Sequence, residues 1–322
     1  MSAAKHNHHH DNHGHDQRHG EKGVARNETR LLIAFVLTFL AMLVEAGGGW
    51  LSGSLALLAD AGHMLVDAFA LLLAFAGAHF ARRPADSRRS FGYARLEVLV
   101  GYTNALAQLA LVAWIVVEAV SRLHAPEPIK AMPMLAIAVV GMLINLIVLG
   151  ALGNHAHDDL NTAGARLHVI GDLLGSVGAV IAALLIAGFG WLWADAAFSI
   201  LTAVLILHSA WRLLRRCAHI LLEGTPDDLH AVTLVDALCQ QVGVAAVHHV
   251  HVWQLASGSR IATLHARPTD GHDRDVVLAT IQRTLRERFR IAHATIQLEN
   301  SDCTTQDCAD PAEATHAMHA NR

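Results

Sequence analysis

Two short stretches of this sequence carry the same pair of groups at the same spacing. LADAGHMLVD holds His63 and Asp67, and LHVIGD holds His168 and Asp172. A separation of four residues sets each pair one turn apart on a single helix face. Two helices that each present one imidazole and one carboxylate can close a tetrahedral N2O2 cage around a divalent cation. Imidazole and carboxylate are standard Zn2+ ligands, and four-coordination is the geometry that ion prefers. The same groups bind protons, and a ligand must be deprotonated before it binds metal. Such a site, opened alternately to the two sides of a membrane and exchanging Zn2+ for H+, is an antiporter. The alternative is that each pair is a structural hydrogen bond within its own helix. A second identical pair in another apolar segment weighs against this, because an ionisable group at membrane depth costs about 3 kcal/mol or more and is usually there for a function.

The segments around these pairs are long and apolar. Of 322 residues, 53% are hydrophobic and 16% charged, against about 25% charged in soluble domains. Six stretches approach the roughly 20 residues that a helix needs to cross a hydrocarbon core. They run over Arg30–Gly49, Leu55–Phe80, Glu97–Val120, Met134–Leu152, Thr162–Ala187 and Leu192–Leu213. Basic residues mark one side: Arg26 and Arg30 before the first span, Arg82, Arg83, Arg88, Arg89 and Arg95 after the second, and Arg212, Arg215 and Arg216 at the end of the sixth. The first and fifth joints have no Lys or Arg. Positive charge gathers on the cytoplasmic side, so both termini are expected there, in keeping with an even number of spans.

Beyond Arg216 the pattern changes to that of a soluble unit. A helix is predicted to open near TPDDLH, with Asp227 and Asp228 in its first turn. VHHVHVWQL alternates as a strand, and RIATLHARP follows as a second strand after a Ser-Gly-Ser turn. Asp273 to Phe289 reads as an amphipathic helix and Ala294–Asn300 as a third strand. The expected architecture is an all-α membrane bundle of six helices followed by an α+β domain of order αββαβ. The divisions are a His-rich disordered tail (1–29), the membrane domain (30–213), the αββαβ domain (214–300) and a disordered tail with Cys303 and Cys308 (301–322).

Here the sequence resembles a known family. GSLALLADAGHMLVD, SFGYARLEVL, LHVIGDLLGSVG, HHVHVWQL and HATIQLE stand in the order and spacing of the cation diffusion facilitators. The resemblance covers residues 30 to 300 and points to bacterial zinc, cadmium or cobalt efflux proteins. It implies a homodimer in the bacterial inner membrane, a metallochaperone-like cytoplasmic domain and exchange of Zn2+ for H+. It also implies that the transport-site ligands are His63, Asp67, His168 and Asp172. A His-Asp pair in span two, rather than two Asp, resembles the members that favour zinc. Some relatives bind a second zinc between spans two and three with an Asp and two His. The matching positions here are Asp86, Arg89 and Tyr93, so that site is expected to be absent and Asp86 to be structural.

Other candidate ligands lie outside the spans. The soluble unit offers His248, His249, His251, His265 and Glu299 on neighbouring strands, with Cys303 and Cys308 close behind. Surface or core histidines are the alternative reading. Strand alternation puts His249 and His251 on one face and His248 on the other. The resemblance singles out His248, His265 and Glu299. The N-terminal HNHHHDNHGHDQRH contains His6, His8, His9, His10, His13, His15 and His19. Asn, Asp and Gly interrupt it, unlike an engineered tag, and it reads as a metal-collecting tail. Asp60 shares a face with His63 and Asp67 and either lines the outward mouth of the path or caps the start of span two. Glu45 and Asn145 are polar groups within spans, suited to the path or to interhelical hydrogen bonds. Asp195 and His208 are assigned to packing or an interface.

Several classes are disfavoured. A net charge of −4 gives no sign of nucleic-acid binding. The polar N-terminus lacks the pattern of a cleavable signal, so none is expected. Cys217, Cys239, Cys303 and Cys308 are too scattered for a disulfide framework and fit a reducing compartment. A membrane metalloenzyme with a carboxylate-histidine centre needs more ligands than one pair per helix. A membrane-tethered metal sensor or buffer leaves the buried pairs unexplained.

Overall fold

The structure is a computed structural model. It describes the backbone of residues 35–81, 86–152, 160–256 and 258–300, and the side chains of 35–73, 86–150, 169–256 and 258–300. Six helices are long and apolar enough to cross a membrane: α1 (Phe35–Ser52), α2 (Leu55–Ala81), α3 (Leu96–His124), α4 (Ala131–Leu152), α5 (Leu160–Phe189) and α6 (Trp193–Leu221). Helix is the form that hydrocarbon imposes, because every backbone N–H and C=O must find its partner inside the segment. Pro133 falls in the first turn of α4, where the missing N–H has no intrahelical partner to lose. Val117, Ile147, Leu174 and Val204 are exposed, which is the apolar surface that lipid covers. Helices α3 and α6 have 29 residues each. At 1.5 Å per residue that is about 44 Å, longer than a hydrocarbon core of roughly 30 Å. The apolar pattern ends near Leu213, but α6 continues through Arg215 and Arg216 to Leu221.

Packing divides the described chain into two units, drawn from Met1–Phe69 with Ala107–His208 and from Ala70–Leu106 with Ser209–Arg322. In the first, Ala56 and Leu57 of α2 pack with Met134 and Ala138 of α4, Ala179, Ala182, Ala183 and Ile186 of α5, and Ala194 of α6. Ala59 meets Val112 and Ile115 of α3 and Ala203 and Ile206 of α6. Met64 packs with Ala41 and Met42 of α1. Helix α2 is therefore clasped by all five others.

The start of α2 is held from a distance in sequence. The first N–H groups of a helix have no partner within it, and here a carboxylate from α6 supplies one. Asp195 Oδ2 accepts from the Leu55 N–H at 2.7 Å, and Oδ1 from the Ala56 N–H at 3.2 Å and the Ser54 hydroxyl at 2.6 Å. A negative group also suits the positive end of the helix dipole. Arg122 of α3 donates to the Gly53 carbonyl and lies 3.9 Å from Asp195 Oδ2. Ser54 Oγ in turn accepts from the Leu57 N–H at 3.3 Å, so α2 is capped by Asp195 and Ser54 together, and Asp60 is left for another role.

In the second unit, α7 (Ala231–Cys239), β1 (Val244–Ala256), β2 (Ser259–Pro268), α8 (Arg274–Phe289) and β3 (Ile291–Leu298) form the expected αββαβ domain. The sheet has order β1-β2-β3, antiparallel then parallel. A parallel neighbour needs a crossover, and α8 is that crossover. It buries Val277, Ile281, Leu285 and Phe289 against Val247, Val250 and Val252 of β1 and Ala262, Leu264 and Ala266 of β2. Asp273 caps it, accepting from the Asp275 N–H at 2.8 Å. Helix α7 opens later than the sequence suggested. TPDD forms a turn, with the Leu229 N–H bonded to the Pro226 carbonyl, and Asp228 is drawn to Arg260 by two hydrogen bonds of 2.8 and 2.6 Å. That guanidinium holds the Asp228 carboxyl below its ordinary range. The same unit contains the pair Arg95–Glu223 at 2.6 Å and an edge-on contact of Phe91 with His293.

If Asp195 fixes α2, Asp195→Ala should lower stability by about 2 kcal/mol, the scale of a lost buried cap, read as a lower thermal midpoint of the detergent-purified protein. Asp195→Asn, which keeps an acceptor oxygen, should lose less. An unchanged midpoint in the alanine variant would show that α2 is held by packing alone.

Candidate metal sites

The first unit has an acidic centre. Glu45 of α1, Asp60 of α2 and Asp172 of α5 are at most 2% exposed, as are Asn145 of α4 and Ser176 of α5. Asn145 Nδ2 donates to Ser176 Oγ at 3.1 Å, and Ser176 Oγ donates to Asp60 Oδ2 at 3.4 Å. Glu45 is in electrostatic contact with both Asp60 and Asp172. Glycines make room for these carboxylates. A Cβ at Gly175 would stand 2.8 Å from Asp60 Oδ1, and one at Gly141 would run into Glu45 Oε1. A concentration of buried carboxylate is favourable only when cations, protons or hydrogen bonds offset its charge.

His63 and Asp67 lie one and two turns beyond Asp60 on α2. His63 Nε2 is 3.7 Å from Asp67 Oδ2, and both side chains are largely buried. Gln108 of α3 donates from Nε2 to Asp67 Oδ1 at 2.6 Å. Helices α2 and α5 run in opposite senses. Leu57 belongs to the cluster that includes Ala179, and Asp60 meets Gly175 and Ser176. Continued by one turn, that register brings His63 level with Asp172, and by two turns Asp67 level with position 168. His168 is within α5; its side chain lies outside those described. Asp60 stands one turn from this level.

The αββαβ domain holds a second set. His248, His265 and Glu299 can bring one ligand atom each within 4.8 Å of one another. His248 Nε2 is 3.0 Å from Glu299 Oε2, and His265 Nδ1 is 2.8 Å from Glu299 Oε1. His248 and His265 are direct partners in the β1–β2 ladder, so the backbone sets their separation. The face assignment of the neighbouring histidines needs correction. A bulge interrupts the ladder between His248 and His251, with His249 at φ 49°. One extra residue in the strand breaks the two-residue alternation. His249 therefore joins His248 and His265, with ring centroids at 5.1 and 4.9 Å, while His251 is exposed and opposite Thr263. Asp86 accepts from the Arg88 and Arg89 N–H groups, each at 2.8 Å, and these hold its carboxyl below the ordinary range, the Arg88 N–H most of all. Arg89 donates to the Tyr93 hydroxyl at 3.0 Å. Cys303, Cys308 and the histidines at 6, 8, 9, 10, 13, 15 and 19 lie outside the described residues.

Comparison with known proteins assigns the family. The model of the cation efflux transmembrane domain matches residues 31–222, and that of the cation efflux protein cytoplasmic domain matches residues 226–301. The chain belongs to the cation efflux family. The resemblance carried by its motifs thus holds, and the protein is a multi-pass membrane transporter of metal cations rather than an enzyme. It is 47% identical over 299 residues to the zinc transporter ZitB of Yersinia pestis, covering 91% of this chain and 96% of that one. It is 38% identical over 307 residues to the metal cation efflux system protein CzcD of Cupriavidus metallidurans, 95% of each. With the cadmium, cobalt and zinc/H(+)-K(+) antiporter of Bacillus velezensis it shares 36% over 293 residues, 89% and 92% of the two chains.

Gln108 and Ser176 are site residues that the sequence does not single out, and it assigns Asn145 and Asp195 only general roles. The available signal was weak: an uncharged polar residue in the middle of an apolar span, as in NALAQLALVA. Among the glycines, Gly175 offers the cleaner test of the acidic centre. Gly175→Ala should force Asp60 or the α2–α5 spacing to shift, at a cost of about 1–3 kcal/mol, read as a lower thermal midpoint. Gly171→Ala, with nothing within 4 Å of its Cβ, should leave the midpoint unchanged or raise it.

Proposed function

We propose that this transporter exports Zn2+ from the cytoplasm across the bacterial inner membrane in exchange for H+, through a site formed by His63, Asp67, His168 and Asp172. The observation that carries this reading is the concentration of buried carboxylate on α1, α2 and α5, beside the level at which the two His-Asp motifs approach each other. Zn2+ on the way out and H+ on the way back each neutralise it, so neither half of a cycle leaves bare carboxylates in the bundle. Supporting the cargo and the coupling are two relatives, one named a zinc transporter and one an antiporter for zinc, cadmium and cobalt against H+ and K+. The arginines flanking spans two, three and six favour cytoplasmic termini. The His-rich tail then collects metal on the side from which it is removed.

In this reading the αββαβ domain binds a further Zn2+ through His248, His265 and Glu299, with His249 beside them, and contributes to a homodimer. Two imidazoles and a carboxylate are a ligand set that zinc accepts, leaving a fourth position for another donor.

The transport reading is tested in proteoliposomes with an imposed pH gradient. Wild-type protein should move Zn2+ only while the gradient lasts, and a protonophore should stop it. Asp67→Ala and Asp172→Ala should reduce flux to that of empty vesicles. Undiminished flux in either variant, or none in the wild type, rejects the reading. For the cytoplasmic site, equilibrium dialysis of the full-length protein should show about one zinc per chain fewer in Glu299→Ala than in wild type, whereas His251→Ala should match wild type.

A further inference from the structure

The hydrogen bond from Gln108 to Asp67 has a consequence for which cation the site accepts. Gln108 is 5% exposed and reaches from α3 to a residue on α2. Its amide must present nitrogen to Asp67, since the flipped amide would set oxygen against oxygen. The contact of 2.6 Å is short for an N–H···O hydrogen bond. Close approach of the two helices makes it possible. Gly62 of α2 lies under Leu111 of α3, where a Cβ would stand 3.0 Å from Leu111 Cδ1. Gln108 and Leu111 are one turn apart on α3, so the same contact that seats Leu111 brings the Gln108 amide to Asp67.

Building on the four-ligand reading above, we infer that Gln108 is a positioning residue that makes Asp67 a one-oxygen ligand and thereby favours a small, four-coordinate cation. A carboxylate can bind a metal through one oxygen or both. With Oδ1 occupied by the Gln108 amide, the oxygen presented on the His63 side is Oδ2, 3.7 Å from His63 Nε2. One oxygen from each Asp and one nitrogen from each His gives the tetrahedral set that Zn2+ prefers. A larger divalent ion such as Cd2+ is better served by higher coordination, which a two-oxygen carboxylate provides. The amide withholds the second oxygen. Partners of this kind around metal ligands orient them, and their loss typically weakens metal binding by about 10- to 100-fold.

The test is a Zn2+/Cd2+ competition on the full-length protein in detergent, read as the ratio of the two affinities, with KM and maximal rate for each ion in proteoliposomes. Gln108→Met keeps length and volume but removes the donor, and Gln108→Leu is the second variant. Both should weaken Zn2+ about tenfold while leaving Cd2+ equal or stronger, so the preference for zinc falls by about the same factor. The change should appear in KM rather than in the maximal rate. A packing role alone would lower the thermal midpoint and weaken both ions together. That result, or an unchanged ratio in both variants, overturns the inference. Asp67→Ala in the same assays separates the two readings. If it retains wild-type zinc binding and flux, the four-ligand site itself is wrong. If it loses them while the Gln108 variants keep the wild-type ratio, only the role of Gln108 fails.

Discussion

The structure depends on one constraint: carboxylates placed in a bundle that lipid surrounds must be neutralised there. Glu45, Asp60 and Asp172 are each at most 2% exposed and in mutual electrostatic contact. Had evolution required only a stable bundle, apolar residues of similar volume would serve as well or better, because a buried charge gains little even when paired. The arrangement fits the proposed transport of a cation, whose charge would be supplied from solution.

The rest of the bundle can be read as a response to that constraint. Buried acids need a rigid frame, or the helices separate and admit water. Asp195 and Arg122 fasten the start of α2 through its first N–H groups and the Gly53 carbonyl. Glycines at 141 and 175 let α4 and α5 come close to carboxyl groups that a methyl would displace. Ser176 and Asn145 give the buried oxygen of Asp60 a neutral hydrogen-bonding partner and chain it to α4. Apolar side chains of α2 also pack with residues of the other five spans.

How much of this was legible in the sequence follows from which interactions are local. Spans reveal themselves through composition over some twenty residues, and the HxxxD motif through spacing within one helix, so both could be read directly. The αββαβ order also followed from alternation and turn residues. What failed was decided by groups distant in the chain. The cap on Leu55 comes from Asp195, 140 positions away, and nothing near Leu55 announces it. Asp228 looks like the first turn of a helix until Arg260 claims it. Alternation misassigned His249 because a single inserted residue in β1 reverses the face of what precedes it. Gln108 is one polar residue in an apolar span, and its meaning exists only once α3 is laid against α2.

The two histidine-carboxylate sets differ in what holds their ligands, and this separates their uses. In the αββαβ domain, His248 and His265 face each other across paired strands, and the ladder of backbone hydrogen bonds keeps their separation. Glu299 follows β3 directly, with its N–H bonded to the Ala266 carbonyl. Moving any of these ligands would break main-chain hydrogen bonds, so a metal held there is suited to stay. His63 and Asp67 on one side, and Asp172 with position 168 on the other, stand on helices that share no backbone hydrogen bonds. Among the described residues, α2 and α5 meet through side chains, by apolar packing and by contacts such as the hydroxyl of Ser176 on Asp60 at 3.4 Å. A small relative shift of two helices changes the spacing between ligand pairs without breaking either helix. On the proposed reading, the same residue types build a resident site on a sheet and a releasable one between helices, and the second is suited to hand its ion on.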